Sequence, residues 1–207
     1  MKKTILLRLS VTFIVAISLI GITTTAQASK KDSYTVEQIS NHVKKNNDTF
    51  KGASINNGVL TLVIKNGAAY DEIGAMKSSQ KLFLRDIKNA IADYHNNPLA
   101  DNGILVAGAY IKLDDGSKKP VFAAYYDGIT VDTVDYSNKM SNFKNPLAAI
   151  DDSDAYFIFK KFLSYNDVTG IFKKVPAYDT ETAPDWFRSI VQGTTIVKPA
   201  KIIHIID

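Results

Sequence analysis

Four basic side chains fall on one side of the strongest helical pattern in the chain, and they are the first candidates for a binding site. Residues 70–97 repeat apolar side chains at helical spacing, and beside that stripe lie Lys77, Lys81, Arg85 and Lys88. None of Lys77, Lys81 and Arg85 has an acid four residues earlier to neutralise it. The row predicts binding to an anionic polymer of the cell envelope, although a charged row on a helix is more often a solvated face.

Tyrosines are the second candidate. All ten tyrosines follow the first 28 residues, and Tyr110, Tyr125 and Tyr126 fall in segments that alternate like strands. Tyrosine gives a large contact area at a small entropic cost, so these three side chains predict a surface that binds another protein. The alternative is ordinary packing in the core or on a sheet face.

No motif in the sequence identifies a catalytic reaction. Cysteine is absent, which excludes thiol catalysis and disulfides. The patterns of serine hydrolases, nucleotide-binding loops and zinc proteases are absent as well. His42, His95 and His204 are far apart in the chain, and His42 is interpreted as a solvated residue of a helix. We therefore predict no catalytic residues and no cofactor.

Two acidic clusters are candidate calcium sites. Residues 114–115 and 151–154 supply carboxylates of the kind that calcium binds outside the cell. Neither cluster has the spacing of a twelve-residue calcium loop or the glutamate that ends it. A turn explains the first cluster and a helix N-cap explains the second, so no metal site is predicted.

The first 28 residues have the pattern of a secretory signal peptide. Lys2, Lys3 and Arg8 precede or begin an apolar run, and Ala26 and Ala28 stand where a signal peptidase requires small residues. We predict cleavage after Ala28 and a secreted protein with no transmembrane segment. Cleavage leaves 22 basic residues against 21 acidic ones, because the removed segment holds three of the 25 bases and no acid. A nearly neutral chain does not favour binding to nucleic acid.

The remaining patterns predict an α+β fold. We expect an antiparallel sheet of four to five strands with the long helix packed on one face. The expected order is α-β-β-α-β-β-β, with the last three strands forming a meander over residues 103–134. Residues 29–136 are expected to form the core domain, and residues 137–207 a mixed C-terminal extension packed on the same domain.

Local signals predict several element boundaries. Thr35 with Gln38 forms a capping box that begins the first helix, and Asn57 and Gly58 supply the positive φ angles that a tight hairpin turn requires. A further helix is expected after Thr182, and final strands at residues 194–197 and 201–206.

These patterns together predict a secreted bacterial protein of non-enzymatic, binding type that acts at or near the cell surface. One alternative is a small exported hydrolase that uses carboxylates or a dispersed histidine. Another is an inhibitor or immunity-type protein that binds another protein. A pocket that joins His95 or His204 to a buried carboxylate would favour the hydrolase, and a flat tyrosine face would favour a binding protein.

Overall fold

The computed structural model describes residues 34–68, 77–113, 116, 118–133, 145–159, 170–191 and 202–205, and these form a mixed α+β fold, as predicted. In chain order the described elements are α1 (Val36–Asn46), β1 (Phe50–Asn56), β2 (Val59–Ile64), α2 (Lys77–Tyr94), a 3-10 helix (Pro98–Ala100), β3 (Ile104–Leu113), β4 (Lys118–Tyr126), α3 (Gly128–Thr133), α4 (Ala148–Asp151), β5 (Ala155–Ile158), a second 3-10 helix (Ile171–Lys174), β6 (Tyr178–Asp179), α5 (Asp185–Val191) and β7 (Ile202–Ile205). The predicted signal peptide lies outside the described residues. Among the described helices, none combines the length and the apolar character that crossing a membrane requires.

The seven described strands belong to one sheet, which contains both parallel and antiparallel pairs. Strands β1 to β6 follow one another across the sheet, and β7 pairs with β3. β2 and β3 are parallel, with Leu60 opposite Ile104, because the connection between them contains α2 and returns the chain to the same end of the sheet. The other strand pairs are antiparallel. The prediction of a purely antiparallel sheet of four to five strands is therefore wrong in pairing and in number.

β3 pairs with a different strand in each half of its length. β2 pairs with it as far as Gly108, and β7 pairs with it from Ile111 onwards. Between these two pairings the buried Asn66 side chain takes the place of a strand, since its Oδ1 accepts the Tyr110 N–H at 3.0 Å. The intervening Ala109 has φ near +50°, a conformation that residues other than glycine seldom adopt.

The core lies between the sheet and α2. The Phe83 ring of α2 meets the Phe122 ring of β4 edge to face, with centroids 5.2 Å apart. Phe172 completes the aromatic cluster at 6.3 Å from each of them. Phe83 and Ile87 are both fully buried, which agrees with the apolar stripe read from the sequence.

Local sequence signals predicted the first three elements correctly. The Thr35 hydroxyl caps α1 by accepting the Gln38 N–H, and the Gln38 side chain accepts the Thr35 N–H in return. Asn57 and Gly58 have φ of 52° and 74°, the positive values that the predicted hairpin turn requires.

The predicted third strand of the meander is wrong. Residues 128–133 form the helix α3, because Asp127 begins a helix and not a hairpin: its Oδ1 accepts the Thr130 N–H at 2.7 Å. Asp154, far along the chain, accepts the Asp127 N–H at 2.7 Å. Gly128 is required here since a Cβ would collide with the carbonyl oxygen of Asp101.

Later boundaries were predicted in part. α2 ends at Tyr94, before the predicted end at Asn97, and residues 70–76 of the predicted helix lie outside the described residues. The predicted helix after Thr182 and the final strand are found as α5 and β7. The predicted strand at 194–197 lies outside the described part of the chain.

Candidate functional site

A cleft of about 650 Å³ opens between α1 and α2. A cavity of this size is in the range of small-molecule sites. α1 and the loop after it contribute mainly polar groups, which are His42, Asn46, Asn47 and Asp48. α2 contributes one flank of its surface, with Ser79, Arg85, Asp86, Asn89, Asp93 and Tyr94.

His42 and Tyr94 join the two helices at one side of the cleft. His42 Nδ1 lies 2.6 Å from the Tyr94 hydroxyl oxygen, and the two rings meet edge to face. Burial, with a smaller effect from the Asp93 carboxylate, raises the pKa of Tyr94 from 10.0 to about 12. The phenol therefore stays protonated at neutral pH and can donate to Nδ1 of an uncharged His42 ring. His42 is exposed, as predicted, but it has a partner 52 residues away that helical spacing could not reveal.

Two of the three carboxylates that line the cleft lie beside a basic side chain. Arg85 donates from Nε at 2.9 Å and from Nη2 at 2.6 Å to the same oxygen of Asp86. The other Asp86 oxygen accepts a long contact from the Thr49 hydroxyl, at 3.4 Å. Asp48 lies 3.6 Å from the Lys65 ammonium group.

Asn89 presents a buried acceptor at the cleft wall. Its Oδ1 is inaccessible to solvent, and no hydrogen-bond donor among the described residues reaches it. A buried polar atom without a partner costs about 1–3 kcal/mol of folding free energy. Replacing the Asn89 amide by an apolar side chain should therefore not lower the free energy of unfolding.

The four predicted cations do not form one exposed row. Lys88 is 7% exposed and forms an ion pair with Asp152, so the prediction that it belongs to an exposed basic row is wrong. Helical periodicity missed this because Asp152 is 64 residues away in the chain. Arg85 lies in the cleft wall, Lys81 is partly buried, and the side chain of Lys77 lies outside what the structure describes. Ligand binding by Lys81 and Arg85 stays a prediction.

The three predicted tyrosines do not share a surface. Tyr126 is 2% exposed and donates its hydroxyl to the carbonyl of Ala149, so its predicted role at a partner surface is wrong. Tyr125 packs on the other side of β4 against Trp186 of α5, with ring centroids 5.1 Å apart. Tyr110 is half-buried on β3, and burial raises its pKa above 10.0. Partner contacts by Tyr110 and Tyr125 stay a prediction.

The second acidic cluster has structural roles. Asp154 holds the start of α3, where its Oδ1 accepts the Thr130 hydroxyl at 3.0 Å, and Asp152 binds Lys88. The chain continues from this cluster into the strand β5, so the predicted helix N-cap is wrong. Across the described residues, no group of three or more His, Asp or Glu side chains is arranged to hold a metal ion.

Sequence reasoning missed three important residues of the cleft, which are His42, Asn89 and Tyr94. One signal was present for Asn89. Asparagine is a poor residue for a helix interior, and Asn89 lies on the same flank of α2 as Asp86 and Asp93. A polar flank of this kind is most often a solvated face, so the sequence alone did not distinguish it as a site.

Compared with known proteins, the chain matches no family model, no curated protein and no solved structure. The geometry of the cleft is therefore the basis for proposing a function.

Proposed function

We propose that this is an exported bacterial protein of the binding type, that it acts at or near the cell surface, and that the α1–α2 cleft holds its ligand. The observation that carries the proposal is the cleft itself, which is lined by hydrogen-bonding groups of both helices, among them His42, Arg85 and Asn89. The cleft has the volume that a small ligand needs.

Binding is favoured over catalysis by the way the acid–base groups of the cleft are engaged. Asp86, the half-buried carboxylate, accepts two donors from Arg85 on one oxygen. Tyr94 keeps its proton at neutral pH because its pKa is about 12. The Tyr94 phenol is therefore not prepared to take a proton from a substrate near pH 7, and one Asp86 oxygen is already occupied by the Arg85 donors.

The exported hydrolase is the second candidate, because the cleft does contain a histidine. In a catalytic triad a carboxylate orients the histidine ring. The described partner of the His42 Nδ1 is the Tyr94 hydroxyl, which gives the ring no such carboxylate at that nitrogen. This contact makes the hydrolase the weaker of the two proposals.

A sedimentation assay with purified bacterial cell walls tests the proposed function. The protein is expressed with its first 28 residues in the natural host, recovered from the medium and checked by intact mass for a start at Ser29. We expect it to sediment with the walls, and Asn89→Leu to bind about tenfold more weakly. The melting temperature of Asn89→Leu should be unchanged or higher, since the substitution removes an acceptor that has no donor.

Asn96→Leu is the matched control for this assay. Asn96 is an exposed asparagine just beyond α2 and does not line the cleft, so its replacement should leave binding unchanged. A salt series in the same assay tests whether Lys81 and Arg85 bind an anionic polymer, because salt weakens ionic binding. Equal binding by Asn89→Leu and the unchanged chain would contradict a ligand site in the cleft. Failure to bind walls or cell-surface membranes would contradict the proposed function itself.

A further inference from the structure

We infer that three basic residues in line across β4, β3 and β7 bind an anionic polymer whose repeating charge is a phosphate diester. These residues, called here the strand row, are Lys118, Lys112 and His204, in that order across the sheet. None of the three lines the α1–α2 cleft, so this inference goes beyond the proposed function and does not depend on it.

Two lysines of the strand row lie directly opposite each other. Lys112 of β3 and Lys118 of β4 are Cα partners in the antiparallel pairing, so they share one face of the sheet. Both residues are exposed. Like charges in this position repel each other and destabilise the pairing. An anion bound between the two ammonium groups would remove that repulsion.

The described part of the chain does not neutralise this lysine pair. Every ion pair between described residues uses another basic side chain. Among these residues, no carboxylate therefore competes with an external anion for the ammonium groups of Lys112 and Lys118.

β7 extends the row on the other side of β3. His204 is the Cα partner of Lys112 in that pairing. Adjacent strands are about 4.7–4.9 Å apart, so the three backbone positions span roughly 10 Å. Tyr110, two residues before Lys112, lies on the same face of β3 and is half-buried. A line of this length matches successive anionic groups of a polymer better than it matches one small anion.

The composition of the strand row favours phosphate as the anionic group. A lysine ammonium group only donates hydrogen bonds, and it binds phosphate as a point charge. The row contains no arginine, the residue whose planar fork recognises carboxylates in a bidentate way.

A polymer is favoured over a membrane because the row lacks an apolar anchor among the described residues. Helices that bind at a membrane surface combine basic residues with apolar side chains that enter the lipid. The large apolar side chains that are described as exposed, such as Ile55, Leu82 and Ile129, lie in other elements. The strand row therefore offers charge without insertion.

Amide NMR titration of the mature chain with a short poly(glycerol phosphate) tests this inference. We expect saturable shifts at the amides of Lys112 and Lys118. The affinity should fall about tenfold or more between about 0.05 M and about 0.5 M NaCl, since salt screens ionic contacts. Lys112→Gln with Lys118→Gln should abolish the shifts without lowering the melting temperature, because the change removes a repulsive pair. Lys44→Gln with Lys45→Gln removes the same charge from exposed positions of α1 and should keep the shifts.

The acids of the turn between β3 and β4 provide a further variant. Asp114 and Asp115 lie outside the described residues, and Asp114→Asn with Asp115→Asn should strengthen binding by removing negative charge next to the row in sequence. Binding that appears only in this variant would overturn the inference, as would equal losses in the two lysine variants.

Vesicles of phosphatidylglycerol distinguish a polymer from a membrane. Binding to the vesicles and not to poly(glycerol phosphate) would assign a membrane partner and overturn the inference. Binding to neither probe would also overturn it. The comparison of Asn89→Leu with the unchanged chain in the cell-wall assay tests the cleft separately, so the proposed function can stand or fall on its own.

Discussion

The two flanks of α2 carry similar charges and use them differently. On one flank Lys88 pairs with Asp152 from a distant part of the chain, and its side chain is only 9% exposed. On the other flank Arg85 pairs with its neighbour in sequence, Asp86, at the wall of an open cleft. The first pair connects α2 to the segment after α4. The second joins two neighbouring residues of α2.

The polar groups of α2 are therefore of two kinds: those of one flank hold the fold together, and those of the other flank line the cleft. A buried pair is retained because either partner alone would be an uncompensated charge in a poorly hydrated place. A half-exposed local pair contributes little to stability, so its position beside a cleft needs another explanation. Ligand recognition is the explanation we propose for the cleft flank.

The largest expected loss of stability comes from the buried apolar stripe of α2, which lies between the two flanks. Ile87 is fully buried, so Ile87→Asp should place a carboxylate in the core and lower the free energy of unfolding by about 3 kcal/mol or more. Leu82 is 40% exposed at the cleft, and Leu82→Asp should cost less than about 1 kcal/mol. Urea unfolding of the two variants measures this contrast. Equal losses would mean that the cleft flank is packed as tightly as the core.

The next effect distinguishes the two ion pairs. Asp152→Ala leaves the Lys88 ammonium buried without its partner and should cost about 2–3 kcal/mol, somewhat less than for a fully buried pair because Asp152 is 33% exposed. Adding Lys88→Met removes the unpaired charge and should restore most of the lost free energy of unfolding. Arg85→Gln, the matched change on the cleft flank, should cost about 0–1 kcal/mol. Equal losses of unfolding free energy in Arg85→Gln and Asp152→Ala would contradict this difference between the two ion pairs.

The smallest effect concerns Tyr94 and depends on pH. Tyr94→Phe removes the contact with His42 and should cost about 1 kcal/mol at neutral pH. The pKa of Tyr94 is about 12 in the folded chain against an ordinary 10.0, so the folded chain keeps this proton when the unfolded chain has lost it. Stability should therefore fall as pH rises from 10.0 towards 12, and Tyr94→Phe should lack this part of the fall.

His42→Ala is the control for that measurement. It also removes the contact between the two side chains, yet it should keep the alkaline loss of stability, because burial is the main cause of the raised pKa of Tyr94. Melting temperatures across the alkaline range provide the test. An alkaline loss that disappears in His42→Ala would assign the raised pKa to the histidine contact.

The parts of the fold that sequence predicted are those with local causes. The Thr35 cap and the turn at Asn57 and Gly58 depend on residues within a few positions of one another, and both were predicted. α3 was mistaken for a strand because the support for its first turn includes Asp154, which no local pattern includes. The parallel pairing of β2 and β3 is likewise a property of the crossover and not of either strand.

The candidate site was predicted less well than the fold, for the same reason. Arg85 was identified as a basic residue on the right helix, but its flank was assigned from charge spacing alone. Asn89 and Tyr94 become site residues only because α1 lies across from them, and that arrangement depends on tertiary packing. The spacing of polar residues could indicate a polar flank on α2, but it could not indicate that α1 forms the opposite wall of the cleft.

The pairing of β7 with β3 has a consequence for the order in which the protein folds. β3 lies inside the sheet, and its second half receives a strand partner at Ile111 from Ile205, much later in the chain. Closing so long a connection is slow and cannot begin until residues 202–205 have been synthesised. A nascent chain therefore leaves the ribosome with its sheet unfinished.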